Sequence, residues 1–90
     1  MHDFVDAQQM HKDNPTTFDA PSQQELDDLK VEDTVKLSLN CERFWVEITA
    51  INGETLKGRI ANDLVFDQPF KCDDIIKFRK NHIYNIYEDL

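Results

Sequence analysis

The longest clean alternation in the chain is Glu42–Ile51, ERFWVEITAI. Phe44, Val46, Ile48 and Ala50 fall on one face, and Arg43, Trp45, Glu47 and Thr49 on the other. A period of two with one apolar side predicts a strand lying over a core. The same reading gives a strand at Thr34–Asn40, with Val35, Leu37 and Leu39 inward and Lys36 and Ser38 outward. A third falls at Thr55–Ala61, with Leu56, Gly58 and Ile60 inward and Lys57 and Arg59 outward. Ile75–Arg79 forms a fourth, with Ile76 and Phe78 inward, and Tyr84–Tyr87 a short fifth. Leu64–Phe66 reads as a short edge piece, Asn81–Ile83 as a tight turn or a single 3₁₀ turn, and Ile83 or Ile86 as the last core contact.

Asn52-Gly53 is a strong hairpin signal. A two-residue Asn-Gly loop would set Ile48 opposite Lys57 and mix the two faces, whereas a three-residue loop matches even-numbered positions with even-numbered ones. The sequence therefore predicts a three-residue loop with Gly53 at positive φ and a bulge. It also places Glu47 opposite Lys57 or Arg59 as a cross-strand charge pair.

Before residue 31 the period is helical. Phe4, Ala7 and Met10 stand three apart in residues 3–12, with Asp3 as the expected N-cap and Asn14-Pro15 as the stop. Pro15 and Pro21 bracket an irregular loop in which Phe18 is the expected core anchor. Ser22 and Glu25 form a capping box opening a helix at Ser22–Leu29, with Leu26 and Leu29 inward. An echo links LKVEDTVKL at 29–37 with FKCDDIIKF at 70–78: an acidic turn feeding a strand. It places Cys72 where the first copy has Val31, as a small core residue. The expected architecture is a single α+β, mostly β domain over 1–90. An acidic helical annex at 1–30 precedes a small SH3-like barrel or roll of about five antiparallel strands at 31–90.

Several motifs resemble one bacterial family, the domain of unknown function 2314. They are TFDAPS at 17–22, LKVEDTVKL at 29–37, CERFWVEI at 41–48, NGETLKGRIAND at 52–63 and DDIIKFRKNHIYNI at 73–86. The resemblance runs from about Phe18 to Ile86 and implies a compact, mostly β domain without assigning an activity. The chain departs from the family pattern where Gly-Asp usually precedes the strands, having Glu32-Asp33 and Asp73-Asp74 instead. Leu64 stands where the family usually has proline. If those glycines serve a left-handed turn, this sequence must make the turn differently.

Charge changes the picture. The formal net charge is −8, and residues 1–33 carry nine acids against Lys12 and Lys30, while 34–90 are nearly balanced. Clustered phosphate contacts are not expected from such a chain. The acids Glu25, Asp27, Asp28, Glu32 and Asp33 are a candidate surface for a basic protein partner. Asp3 and Asp6 near the start leave no basic leader segment, no apolar run spans a membrane, and two cysteines make no disulfide framework. A cytoplasmic protein with reduced thiols is expected.

Chemistry-bearing constellations are sparse. His2, His11, His82, Cys41 and Cys72 lack metal-ligand spacing, and the acids at 63–74 lack a calcium-loop pattern. Two glycines, Gly53 and Gly58, cannot build a phosphate loop. No catalytic residue, metal or cofactor is expected, and His82 is read as donating to a turn carbonyl. The expected function is a non-enzymatic protein-interaction module. Its surface is the outer face around Trp45, with Arg43, Glu47, Lys57, Arg59 and His82, or the acidic N-terminal third. The alternative is an inhibitor of immunity or anti-defence type whose acidic surface blocks a basic nucleic-acid-binding site on its target. An N-terminal segment folded over Trp45 would remove the first surface.

Overall fold

A computed structural model describes residues 2–87. The elements are α1 (Ala7–Asp13), α2 (Gln23–Asp27), β1 (Thr34–Leu39), β2 (Glu42–Asn52), β3 (Thr55–Ile60), β4 (Ile75–Arg79), a 3₁₀ turn at Lys80–His82 and β5 (Asn85–Ile86). The strands form one antiparallel sheet in the order β4-β3-β2-β1-β5. It curls around a core but is not closed into a barrel, because β4 and β5 are not paired.

The alternation holds except at Ala50, which is exposed. Val35, Leu37, Phe44, Val46, Ile48, Leu56, Ile60, Ile76, Phe78 and Ile83 are buried on the concave side. Phe4, Leu26 and Phe70 join the same cluster, and Leu29 and Ile86 pack at its margin. The N-terminal annex thus helps close the inner face of the sheet through Phe4, Leu26 and Leu29.

The β2–β3 connection keeps the expected core register by a different device. Asn52 pairs with Thr55, so the loop has two residues, Gly53 and Glu54, with Gly53 at φ +62°. Positive φ at the first central residue alone is the type II′ pattern, which the strand twist favours. Parity is then restored by a bulge at Thr49: Ala50 pairs with Lys57, while Ile48 pairs with Gly58 and Glu47 with Arg59. The extra residue turns Ala50 out to solvent, so the core face of β2 ends at Ile48.

The echoed turns are superimposable in their bonding. Asp33 N donates to Lys30 O (3.1 Å) and Asp74 N to Lys71 O (3.0 Å). The Asp33 and Asp74 carboxylates each accept from the N–H of that same lysine at 3.0 Å. Glu32 and Asp73 sit at φ +84° and +74°, and their N–H groups donate to Ile48 O and Ile60 O, both at 2.9 Å. The turn is therefore left-handed after all, made with non-glycine residues held by backbone bonds on both sides. Val31 is exposed and Cys72 only half-buried, so this position is not a core site in either copy.

Other boundaries differ from the sequence expectation for local reasons. α1 begins after Asp6, whose carboxylate accepts from Gln9 N at 3.0 Å. Asp3 cannot cap it, because residues 4 and 5 run along β1, with Val5 N donating to Ser38 O at 2.9 Å. Met10 faces outward. The Ser22–Glu25 capping box forms in both directions, at 3.2 and 3.1 Å. Phe18 is half-buried against Tyr84 (ring centroids 4.8 Å apart) rather than in the core. Leu64–Phe66 is not a strand.

That last segment is held by a contact the sequence did not suggest. Glu42, at the start of β2, is buried, and its carboxylate accepts from Val65 N (2.6 Å), Phe66 N (3.1 Å) and Gln68 Nε2 (3.2 Å). The Val65 N–H, foremost, and the Gln68 and Phe66 donors hold its pKa below the ordinary value against the opposing effect of burial.

Candidate binding surface on the outer sheet face

The convex face of the sheet carries what the core rejects. From the register, its rows run Glu47–Arg59–Ile75, Lys36–Trp45 and Lys57–Lys77, with Arg43 and Arg79 at the strand ends. Neither helix covers it, because Phe4, Ala7 and Leu26 are buried on the opposite side.

An ion-pair ladder crosses the face. Arg59 Nη2 lies 3.2 Å from Glu47 Oε1, and Nη1 lies 2.7 Å from Asp73 Oδ1. The bonds to Asp73 and then Glu47 hold the guanidinium pKa above its ordinary value. Of the two cations the sequence allowed, Arg59 and not Lys57 meets Glu47, because the bulge sends Lys57 to Ala50.

On one side of the ladder lies an aromatic half. Trp45 is half-buried, with Lys36 Nζ 4.6 Å from the ring centroid and Tyr87 against its edge (5.6 Å, 87°). Arg43 stacks over Tyr84 at 4.2 Å. A cation over an indole or phenol face is favourable even when exposed, by roughly 0.5–1 kcal/mol. Among the described residues, the ring against Trp45 comes from the C-terminal side of the chain, not from Phe4, Met10 or Phe18. Asn62 fixes the Trp45 backbone, accepting its N–H at 2.7 Å.

On the other side is a cationic half. Lys57 and Lys77 stand directly opposite each other on β3 and β4, beside a groove of ≈ 280 Å³ lined by Ala50, Asn52, Thr55, Leu56, Lys57 and Lys77. Sequence reasoning missed Lys36, Lys77, Arg79, Tyr84 and Tyr87 as members of this face. The alternation placed Lys36, Lys77 and Arg79 on outer sides but did not assign Tyr84 and Tyr87, and only the strand order brings them together.

His82 lies away from this face. Its Nδ1 accepts from Arg79 N at 3.0 Å, the reverse of the expected donation, and its ring packs on Phe4. Burial foremost, with Arg79 adding to it and Asp6 opposing, pushes the imidazole pKa below the ordinary value. The N-terminal acids are occupied locally. Glu25 completes a cap, Asp27 accepts from Gln23 and meets Lys80 at 3.5 Å, Asp28 accepts from Gln24, and Asp33 closes its turn. Glu32 forms the left-handed corner of the same turn.

Cys72 is half-buried with Sγ 3.8 Å from Ile60 O, and burial above all pushes its thiol pKa up, away from the reactive range. Among the described residues, no three of His, Cys, Asp and Glu converge on a metal-sized site, and no helix is long and apolar enough to cross a membrane. Comparison with family models, curated proteins and solved structures finds no match.

Proposed function

We propose that this chain is a small non-enzymatic protein-interaction module, cytoplasmic and SH3-like in fold, that docks a protein partner on its outer sheet face around Trp45. One observation carries the reading: a half-buried tryptophan sits on the convex face while Phe4 and Leu26 pack into the core on the concave one and Phe18 packs on Tyr84. Tryptophan flanked by arginine and tyrosine is the composition of an interface anchor, where a large ring gives contact area at little conformational cost. Lys36 and Tyr87 hold the indole in place before a partner arrives, which lowers the ordering cost of association.

The strand order β4-β3-β2-β1-β5 with a 3₁₀ turn before β5 supports the SH3-like roll. The motifs around RFWVEI and HIYNI support kinship with the domain of unknown function 2314. Local employment of Glu25, Asp27, Asp28 and Asp33 accounts for those acids through stability and favours the Trp45 face over the acidic third.

The test is affinity capture from the native cell with wild-type and Trp45→Ala baits, each checked for folding by circular dichroism. A protein retained by the wild type and by an Asp27→Asn/Asp28→Asn bait, but lost with Trp45→Ala, is the expected result. Equal retention by the Trp45→Ala bait contradicts the proposal.

A further inference from the structure

We infer that the cationic half of the sheet receives an extended acidic segment of a partner protein, added as a strand along the open edge of β4. The inference goes beyond the Trp45 surface, uses the other side of the Arg59 ladder, and stands or falls separately from it.

Charge is the first ground. The outward positions of β1 to β4 hold six cations, Lys36, Arg43, Lys57, Arg59, Lys77 and Arg79, and one carboxylate, Glu47, and a second carboxylate, Asp73, reaches Arg59 from the turn before β4. This face is positive in a chain whose formal net charge is −8. Among the described residues only Arg59 of these six is ion-paired. Beyond Glu47 and Asp73, which are taken up by Arg59, acids more than roughly 8 Å away are largely screened at physiological salt and do not cancel the field at the face. Lys57 opposite Lys77 is unfavourable for the isolated fold, since like charges directly across a ladder destabilise it. An incoming carboxylate between them converts that repulsion into attraction.

The edge is the second ground. Ile60 N donates to Asp74 O, and Lys80 N to Glu54 O, so the even-numbered residues of this strand bond towards β3. By the antiparallel alternation, Ile75, Lys77 and Arg79 present their N–H and C=O groups to the other side. Arg79 N is taken by His82 Nδ1. The backbone groups of Ile75 and Lys77 are left as a template, with no bond to another element among the described residues. Ile75 is 57% exposed beside them.

A second copy of this chain is a poor occupant, because two such edges would bring lysine against lysine; edge cations are a common guard against self-pairing. A nucleic acid is disfavoured by a different detail. The indole and Tyr84 faces that would stack bases already carry Lys36 and Arg43. Strand addition by an acidic peptide satisfies both the template and the charge.

The experiment is a two-dimensional ¹H–¹⁵N titration of the full chain with three probes: an alternating Glu-Val peptide of about ten residues, the matching Lys-Val peptide, and an oligothymidylate of similar length. The expected result is perturbation of Ile75, Lys77 and Arg79 by Glu-Val alone, with slowed exchange of the Ile75 and Lys77 amides. Its affinity falls at least tenfold when sodium chloride rises from about 50 to about 500 mM. Lys57→Glu/Lys77→Glu, with an otherwise native spectrum, loses at least tenfold more.

Four outcomes overturn the inference: no perturbation at β4, equal binding of Lys-Val, tighter binding of the oligothymidylate, or Glu-Val shifts confined to the Trp45 half. A Trp45→Ala bait that loses its partner alongside a failed titration leaves the docking surface intact and removes only the acidic strand.

Discussion

Arg59 on β3 faces Glu47 on β2 directly across the sheet, its Nη2 3.2 Å from Oε1, while its other terminal nitrogen holds Asp73 in the turn before β4. One side chain therefore ties three segments together and divides the outer face into an aromatic and a cationic half. Arg59 and Glu47 are half-buried and Asp73 is exposed, all three within reach of solvent, so the ladder contributes more to the pattern of the face than to stability. Arg59→Gln should lower Tm by only a few degrees, an effect that shrinks towards zero near 1 M salt, where screening acts within about 3 Å. Thermal melts at low and high salt check this. A large salt-independent loss would mean that Arg59 is structural.

Gly58 is required by the packing between strands. A Cβ there would run into the Val46 side chain and come within 2.8 Å of Glu47 O. Overpacking of this kind costs typically 1–3 kcal/mol. Gly58→Ala is expected to destabilise by about that amount in urea titrations. Gly53→Ala meets nothing within 4 Å but sits at φ +62°, so its loss comes from backbone strain alone, roughly 1–2 kcal/mol.

Among the described residues, Glu32, Asn40, Cys41 and Asp73 occupy left-handed backbone without being glycine, and at Cys41 and Glu32 glycine would relax the chain. Cys41, at φ +66°, follows Asn40 at φ +50° in the β1–β2 turn, and Glu32 sits at φ +84°. Two consecutive positive φ angles make a type I′ turn, for which Asn-Gly is the preferred pair. Cys41→Gly and Glu32→Gly should each stabilise by roughly 0.5–1 kcal/mol, the strain relieved exceeding the added freedom of the unfolded chain. Chemical denaturation midpoints decide it, and a fall in either would show that the side chain contributes more than its backbone strain costs.

Acid weakens the fold in two steps. The His82 pKa is lowered below 6.5 in the folded protein, so the unfolded chain binds the proton first, and stability declines as pH falls from about 6.5. Protonation also removes the Nδ1 acceptor of Arg79 N. The Glu42 pKa is lowered below 4.5, so its contribution is complete above that pH and is lost on further acidification through the folded value. Denaturation midpoints followed from about pH 8 down to about pH 2 should be flat above pH 7 and fall below. Glu42→Gln is expected to be less stable at neutral pH and to lose the lower step, while His82→Gln loses the upper one. Persistence of either step in its variant would reassign it.

Much of this fold was legible because burial alternates so cleanly in Thr34–Leu39, Glu42–Ile48 and Thr55–Ile60. Parity then set even-numbered positions of β2 against even-numbered positions of β3 and Glu47 against Lys57 or Arg59, of which the register selects Arg59. The bulge position was not legible, since Ala50 is small enough for either side of a sheet, and the two-residue loop was hidden by the correction made at Thr49. The turns at Glu32 and Asp73 were obscured because left-handed backbone is normally signalled by glycine. Their shared bonding was foreshadowed only by the LKVEDTVKL–FKCDDIIKF echo. The Glu42 clamp joins residues more than twenty positions apart, which no local pattern reports.

The surface was the least legible part. Composition pointed to an acidic protein seeking a basic partner. Lys36, Lys57 and Lys77 lie on different strands, and their gathering on one face follows from strand order, which local periodicity does not encode.

Trp45 is the only tryptophan in the chain, so its fluorescence reports the proposed face directly. Quenching of the free protein by iodide and by caesium at equal ionic strength measures both openness and local charge. An indole left open among Lys36 and Arg43 should be quenched by both ions and more strongly by iodide, despite the net negative charge of the molecule. Resistance to both quenchers, or stronger quenching by caesium, would contradict an open cationic surface around Trp45.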